Sequence, residues 1–379
     1  MGIYLKELMR LVKTEFYSLN KIKKFNATYN LIIGERSNGK TYASLVEGIT
    51  NWYTSDKKEQ MGIIRRWKED ITGKRASGIF SAINNNNEVA KITNGEYEGV
   101  TYFSGRFYLC NYDDTGKPLY NDKDVLGHTF ALTDTEHNKS VSYPNITTII
   151  FDEFLTKYTY LQDEFVTFMN TISTIVRKRT DVKIYMLGNT VNRYAPYFKE
   201  MGLNHIADMK QGDIDIYRYG DSELTVAVEY CKTLQTDDKN DNNFYFAFNN
   251  PKLEMITSGA WELDIYPHIP EKYKPKDVIF QYFIEFDDKI YHAEVVLLDD
   301  KTFTYIHEKT TPIKDDDTDL IYSLEYNIKP NYMRNILKPR NMIHKRILWY
   351  YKHDLVFYQD NEVGDSISNY LKVCGGVQR

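Results

Sequence analysis

Gly34-Glu35-Arg36-Ser37-Asn38-Gly39-Lys40-Thr41 is the stretch on which the reading of this chain turns. The octet meets the pattern G-x-x-x-x-G-K-(Ser or Thr) at every fixed position. With average residue usage such a match arises by chance in roughly 1% of chains of this length. Its surroundings agree. Tyr29 to Ile33 is a short apolar run of the kind that forms a buried parallel strand, and Lys40 to Tyr53 reads as a helix. A strand, a glycine loop and a helix in that order put free backbone N–H groups and the positive end of a helix at one point, which suits phosphates. Lys40 is then expected to reach the β- and γ-phosphates of ATP, and Thr41 to ligate Mg²⁺. The bland alternative is a glycine turn before an ordinary helix.

Working outward, Ile146 to Phe151 is a second buried-strand run that ends in Asp152 and Glu153. Asp152 is expected to hold Mg²⁺ and Glu153 to orient and deprotonate the attacking water. Two acids after an apolar strand also suit a plain turn, so this reading leans on the upstream loop. Leu161 to Val176 looks helical, and Val182 to Leu187 is a further strand closed by Gly188 and Asn189. Asn189 is expected to sense the γ-phosphate or the lytic water, although Asn is also a good turn former. Arg177, Lys178 and Arg179 end the preceding helix, where cations complement the helix dipole. In a ring, Arg177 in preference to Arg179 is a candidate arginine finger.

Short strands alternating with helices predict an α/β fold with a mostly parallel sheet and ligands at the strands' carboxyl ends. Met61 to Ile64 is another such strand, followed by Arg65 and Arg66, while 71–143 is turn-rich and reads as hairpins or an insertion. With 379 residues the chain exceeds what one core usually organises. The expected division is a P-loop ATPase domain at 1–202, a linker region at 203–247 and a smaller α+β domain at 248–379. The last opens as an antiparallel meander with turns at Asp287–Asp288 and Asp299–Asp300.

Composition narrows the class further. Hydrophobic residues make up 42% and charged residues 27%, as in ordinary globular proteins. A net charge of −5 argues against indiscriminate coating of nucleic acid, which runs on phosphate neutralisation. From Asn331 to Lys352 there is no acid, however, and Arg334, Lys338, Arg340, Lys345, Arg346 and Lys352 stand among Tyr332, Trp349 and Tyr350. That stretch suits a nucleic-acid backbone, or simply a solvated helix. No apolar run is long enough to span a bilayer, and the three cysteines show no metal-ligand or disulfide spacing, so a cytosolic protein without membrane partners is expected.

Taken together, LIIGERSNGKTYA, GIIRRWKEDI, YPNITTIIFDEF and TIVRKRTDVKIYMLGN resemble, in order and spacing, the DNA-packaging ATPases of phi29-type phages, a branch of the additional-strand catalytic-glutamate P-loop class. The resemblance covers most of residues 29–198. It implies ATP hydrolysis driving double-stranded DNA into a procapsid. It also implies a homopentameric ring docked at the capsid portal in the host cytoplasm, and a trailing domain similar to RNase H-type nucleases. By position, Arg36 matches an arginine of the family's loop, Arg65, Arg66 and Lys68 match its second-strand basic cluster, and Lys139 and Arg177 match basic residues contributed by a neighbouring subunit. Glu285, Asp287 and Asp288 cluster in the last domain, but the basic stretch from Asn331 offers them no acid partner, so two-metal nuclease chemistry is expected to be absent. Two other functions fit the motifs: a different DNA translocase, or a nucleotide-gated assembly protein with little turnover.

Overall fold

The computed structural model describes residues 16–134, 141–156, 160–161, 163–190, 194–206, 208–220, 222–232, 266–269, 271–299 and 301–376. The chain divides into two units, Met1–Thr156 with Asp163–Glu262, and Lys157–Gln162 with Leu263–Arg379.

The first unit opens with β1 (Tyr29–Gly34), α1 (Lys40–Thr54) and β2 (Gln60–Arg65). Three short helices follow, α2 (Gly73–Gly78), α3 (Ser81–Asn85) and α4 (Glu88–Ile92). Then come β3 (Gly99–Phe103), β4 (Arg106–Tyr112), the two-residue β5 (Pro118–Leu119) and β6 (Val125–Ala131). The unit continues through β7 (Ile146–Asp152), α5 (Glu164–Val176), β8 (Lys183–Asn189), α6 (Pro196–Glu200), β9 (Ile214–Arg218) and β10 (Thr225–Tyr230). The sheet order is β3-β4-β6-β2-β7-β8-β1-β10-β9, with β5 beside β4. Its six middle strands, β6 to β10 in that order, run parallel. Strands buried on both faces need near-continuous apolar sequence, and Leu31, Ile32, Ile149, Ile150 and Phe151 are all sealed from solvent. One strand, β8, stands between the loop strand β1 and the acid strand β7, which is the additional strand of the expected P-loop class.

Two expectations are corrected. The region 203–247 was expected to be a linker, yet β9 and β10 lie within it. β10 pairs in parallel with β1, and β9 closes that edge as an antiparallel partner. The polarity of 236–243 masked this: Val226, Ala227 and Val228 form only a three-residue apolar run before Glu229, too short to stand out, although the burial continues through Cys231. The 71–143 segment does hold the expected hairpin, β3–β4, but it also returns a core strand, β6, to lie parallel beside β2.

The second unit consists of β11 (Val278–Phe286), β12 (Lys289–Leu298), β13 (Lys301–Lys309), β14 (Ile321–Ser323), β15 (Tyr332–Met333), α7 (Met342–Lys352), β16 (Val356–Tyr358) and α8 (Asn361–Gly376). β11, β12 and β13 form the expected antiparallel meander. Asp287 and Asp288 both take positive φ, as a two-residue hairpin turn matching the strand twist requires. Parallel strands extend the meander on both sides in the order β15-β14-β11-β12-β13-β16. Val363, Ile367, Tyr370 and Cys374, spaced on one helical face, bury α8. The chain's 32 tyrosines acquire a use here, since Tyr282, Tyr291, Tyr322, Tyr350 and Tyr370 are buried core residues of this unit.

Candidate active site

Parallel register alone assembles the site. Gly34 of β1 lies opposite Asn189 of β8, while Phe151 of β7 lies opposite Ile64 of β2, so Arg65 emerges beside Asp152. Gly34, Arg65, Asp152 and Asn189 each end their strand at the carboxyl edge, where open α/β sheets bind ligands.

The loop after β1 turns through Ser37 (φ 62°) and Gly39 (φ 96°) before α1 begins. The positive φ at Gly39 lets the loop close onto the helix without Cβ strain. Lys40 is buried at the centre of this loop. Its Nζ donates to the Glu35 carbonyl at 2.6 Å, the Gly34 carbonyl at 3.3 Å, Asn38 Oδ1 at 3.1 Å and Asn189 Oδ1 at 3.4 Å. Burial lowers its pKa to about 8, against the smaller opposing pull of Cys231, Asp152 and Glu35. Asn38 also accepts the Lys40 backbone N–H at 3.2 Å, so it shapes the loop from within. Arg36 and Ser37 are exposed on the loop's outer side.

Across the sheet edge, Thr41 Oγ1 donates to Asp152 Oδ1 at 3.1 Å. One hydroxyl and one carboxylate oxygen therefore meet beside a cationic loop. This is the oxygen donor set that Mg²⁺ takes when it is also bound by phosphate, so the residues present fit the ion. Burial raises the Asp152 pKa, and the Arg65 guanidinium pulls it back. Arg65 spans both acids, with Nη2 at 2.7 Å from Asp152 Oδ2 and Nη1 at 2.6 Å from Glu153 Oε2. Glu153 sits at φ 61°, a conformation an L-residue adopts at a cost, and its side chain is largely exposed.

That strained turn is braced from below. Arg66 is buried and donates to the carbonyls of Glu153 (3.3 Å) and Phe154 (2.8 Å), while its guanidinium forks onto Glu164 at 2.8 and 2.9 Å. Tyr197 donates its hydroxyl to the same carboxylate at 2.7 Å. Glu164 was not singled out from sequence, and Tyr197 was given no role there. The one available signal was the Arg65-Arg66 pair directly after a buried strand, because two adjacent charges there must face different partners.

The remaining candidates stand apart from this cluster. α5 has 13 residues and leads from the acid end of β7 back toward the start of β8, so it spans about 20 Å. Arg177, at its end, donates to the Val141 carbonyl at 3.1 Å. Arg179 donates to the carbonyls of Ile146 (2.7 Å), Tyr143 (3.2 Å) and Ile175 (3.3 Å), which fastens the helix end to the start of β7. Both arginines thus lie at the sheet edge opposite the loop. Lys68 pairs with Asp134 at 2.9 Å. Lys139 lies outside the described residues. In the second unit, Glu285 stands opposite Ser323 across β11 and β14, with its pKa raised by burial, and Asp287 and Asp288 make the turn. The basic stretch from Asn331 is not one face. It begins in β15 and crosses a loop before reaching α7, where the Arg346 guanidinium lies 4.7 Å from the centre of the Trp349 ring.

Residues 11–231, which include the loop, both acids and the two late strands β9 and β10, match the family described as podovirus DNA encapsidation protein (Gp16). The chain belongs to that family. Among curated members of similar sequence, the DNA packaging proteins of Bacillus phages PZA and phi29 are each 28% identical over 189 residues, covering 49% of this chain and 50% of theirs. The chain spans about half the length of the curated relatives it matches. Among solved structures, the bacteriophage Phi-29 viral genome packaging motor assembly superposes with a TM-score of 0.55 at 22% identity, over 94% of this chain and 99% of that one. The Phi-28 gp11 DNA packaging motor gives 0.54 at 18% identity, over 96% and 98%. These likenesses establish the encapsidation-family fold: a P-loop domain with a large, mostly parallel sheet and a further domain.

Proposed function

We propose that this encapsidation-family protein is a Mg²⁺-dependent ATPase that drives double-stranded DNA into a viral procapsid. In this reading it acts in the host cytoplasm as a homo-oligomeric ring, a pentamer, seated on the capsid portal. The observation that carries the reading is the 3.1 Å approach of Thr41 to Asp152 beside the buried Lys40, which joins a phosphate-binding loop to an acid pair. Lys40, with the loop N–H groups from Gly34 to Thr41, holds the triphosphate, and Thr41 and Asp152 hold Mg²⁺. When bound, Mg²⁺ neutralises charge on the phosphate oxygens. Glu153 accepts the proton of the attacking water, for which its exposed carboxylate is free to rotate off Arg65. Asn189, already within reach of Lys40 Nζ, orients the water or the γ-phosphate.

Arg177 is too far from its own loop to act there, so its proposed role is in a neighbour's site, together with Lys139. Family membership supports the packaging reading, since the relatives named above are packaging proteins. The second unit is proposed to be an RNase H-like module that guides DNA or docks to the portal and has no nuclease chemistry. Among the described residues no trio of acids that includes Glu285 comes together at ion-binding distance, although Glu325 and Asp316 also raise its pKa, and this supports the reading because two metal ions need several converging acids.

Glu153→Gln tests the core of the proposal. Turnover of Mg·ATP should fall about 10²–10⁴-fold while ATP binding is retained. Normal hydrolysis by this variant would remove Glu153 as the base. Stimulation of the unaltered protein's turnover by duplex DNA separates a translocase from a nucleotide-gated assembly protein.

A further inference from the structure

The open face of the second unit's sheet carries a cluster that has no part in the reading above. His292 on β12 lies directly opposite His307 on β13, and Glu294, two residues along, shares their face. One ligand atom from each of the three lies within 4.8 Å of the others. The two imidazole rings are 5.0 Å apart at 67°, and all three residues are half-exposed, so a solvated ion can reach them.

The hydrogen bonds around the cluster are those a metal site needs. His307 Nδ1 is 3.1 Å from the Glu308 carbonyl. A carbonyl only accepts, so in the neutral ring this contact places the N–H on Nδ1 and leaves the Nε2 lone pair for an ion. That Nε2 is 3.8 Å from Glu294 Oε2, too long for a hydrogen bond. His292 Nε2 is 3.2 Å from Gln281 Oε1, which leaves its lone pair on Nδ1. Tyr273 donates its hydroxyl to Glu294 and orients the carboxylate. Each of the three thus has an outer partner that fixes it, as metal ligands characteristically do.

We infer that His292, Glu294 and His307 form a binding site for a divalent transition-metal ion of the Zn²⁺ class. Two imidazoles and one carboxylate match a three-ligand zinc set with a fourth position open to water, and they disfavour Mg²⁺ and Ca²⁺, which take oxygen ligands. Donors about 2.0–2.2 Å from a shared ion stand roughly 3.4 Å apart, so small side-chain rotations close the present spacing. The bound ion ties β12 to β13 at mid-strand.

The test uses the tag-free, full-length protein stripped with EDTA, without nucleotide, titrated with Zn²⁺ against a chromophoric chelator and separately with Co²⁺. The expected result is one zinc per chain, and cobalt bands of four- or five-coordinate intensity. His292→Ala, His307→Ala or Glu294→Gln should each weaken zinc uptake by at least about 10-fold, with His205→Ala unchanged as a control. A cobalt spectrum that stays that of the six-coordinate aquo ion, read on the unaltered protein, would overturn the assignment. So would zinc uptake equal to that of the His292→Ala/His307→Ala double variant.

Discussion

Lys40 shows how one residue can make a site depend on pH. Burial holds its folded pKa near 8, below the ordinary 10.5. Between those values the unfolded chain binds more protons, so this residue's contribution makes stability rise with pH from about 8 to 10.5. For binding the sign is opposite, because a triphosphate favours the charged amine. ATP affinity should be flat below pH 8 and should then fall by up to about tenfold per pH unit, with proton uptake on binding. Fluorescent-nucleotide titrations from pH 7 to 9.5 would read this, and an unchanging Kd across that range would sink it. That Lys40, Thr41, Asp152, Glu153 and Asn189 stand at one edge of the sheet was legible in the sequence because a glycine loop and strand ends are local patterns. That Arg65 bridges both acids was not legible, because it depends on which strand neighbours β7.

At the scale of elements, β2, β7, α5 and α6 are tied by the Arg66, Glu164 and Tyr197 network beneath the strained Glu153 turn. A buried charge that loses its partner is costly. Arg66→Met should therefore destabilise the protein by about 3–5 kcal/mol, and adding Glu164→Gln should recover a large part of that loss. Urea denaturation of the two single variants and the double variant measures the coupling, and strictly additive losses would refute it. The strands β1, β7, β8 and the β11–β13 meander were readable from apolar runs and turn residues. β6, β9 and β10 were not, because Gly127-His128-Thr129, Asp215 and Glu229 break their apolar runs; only their pairing partners identify them.

For the molecule as a whole, two separate cores predict two separable responses to ligand. The first is built on aliphatic strands around β1 and β7, the second on aliphatic side chains, phenylalanines and tyrosines of its own sheet and of the helices α7 and α8. Calorimetry should show two transitions, of which Mg·ATP at about 100 times its Kd raises only one, by a stabilisation of about 2.7 kcal/mol. A single transition that moves as one would contradict this. The sequence by itself determined the glycine loop between β1 and α1, the acid pair at the end of β7, the parallel α/β class and the existence of a second domain, since each rests on residues adjacent along the chain. Tertiary structure alone decided where the first domain ends, which arginine meets the acids, which sheet edge holds Arg177, and that His292 faces His307. Those are matters of strand order and register, and pairing brings together residues that no local pattern connects.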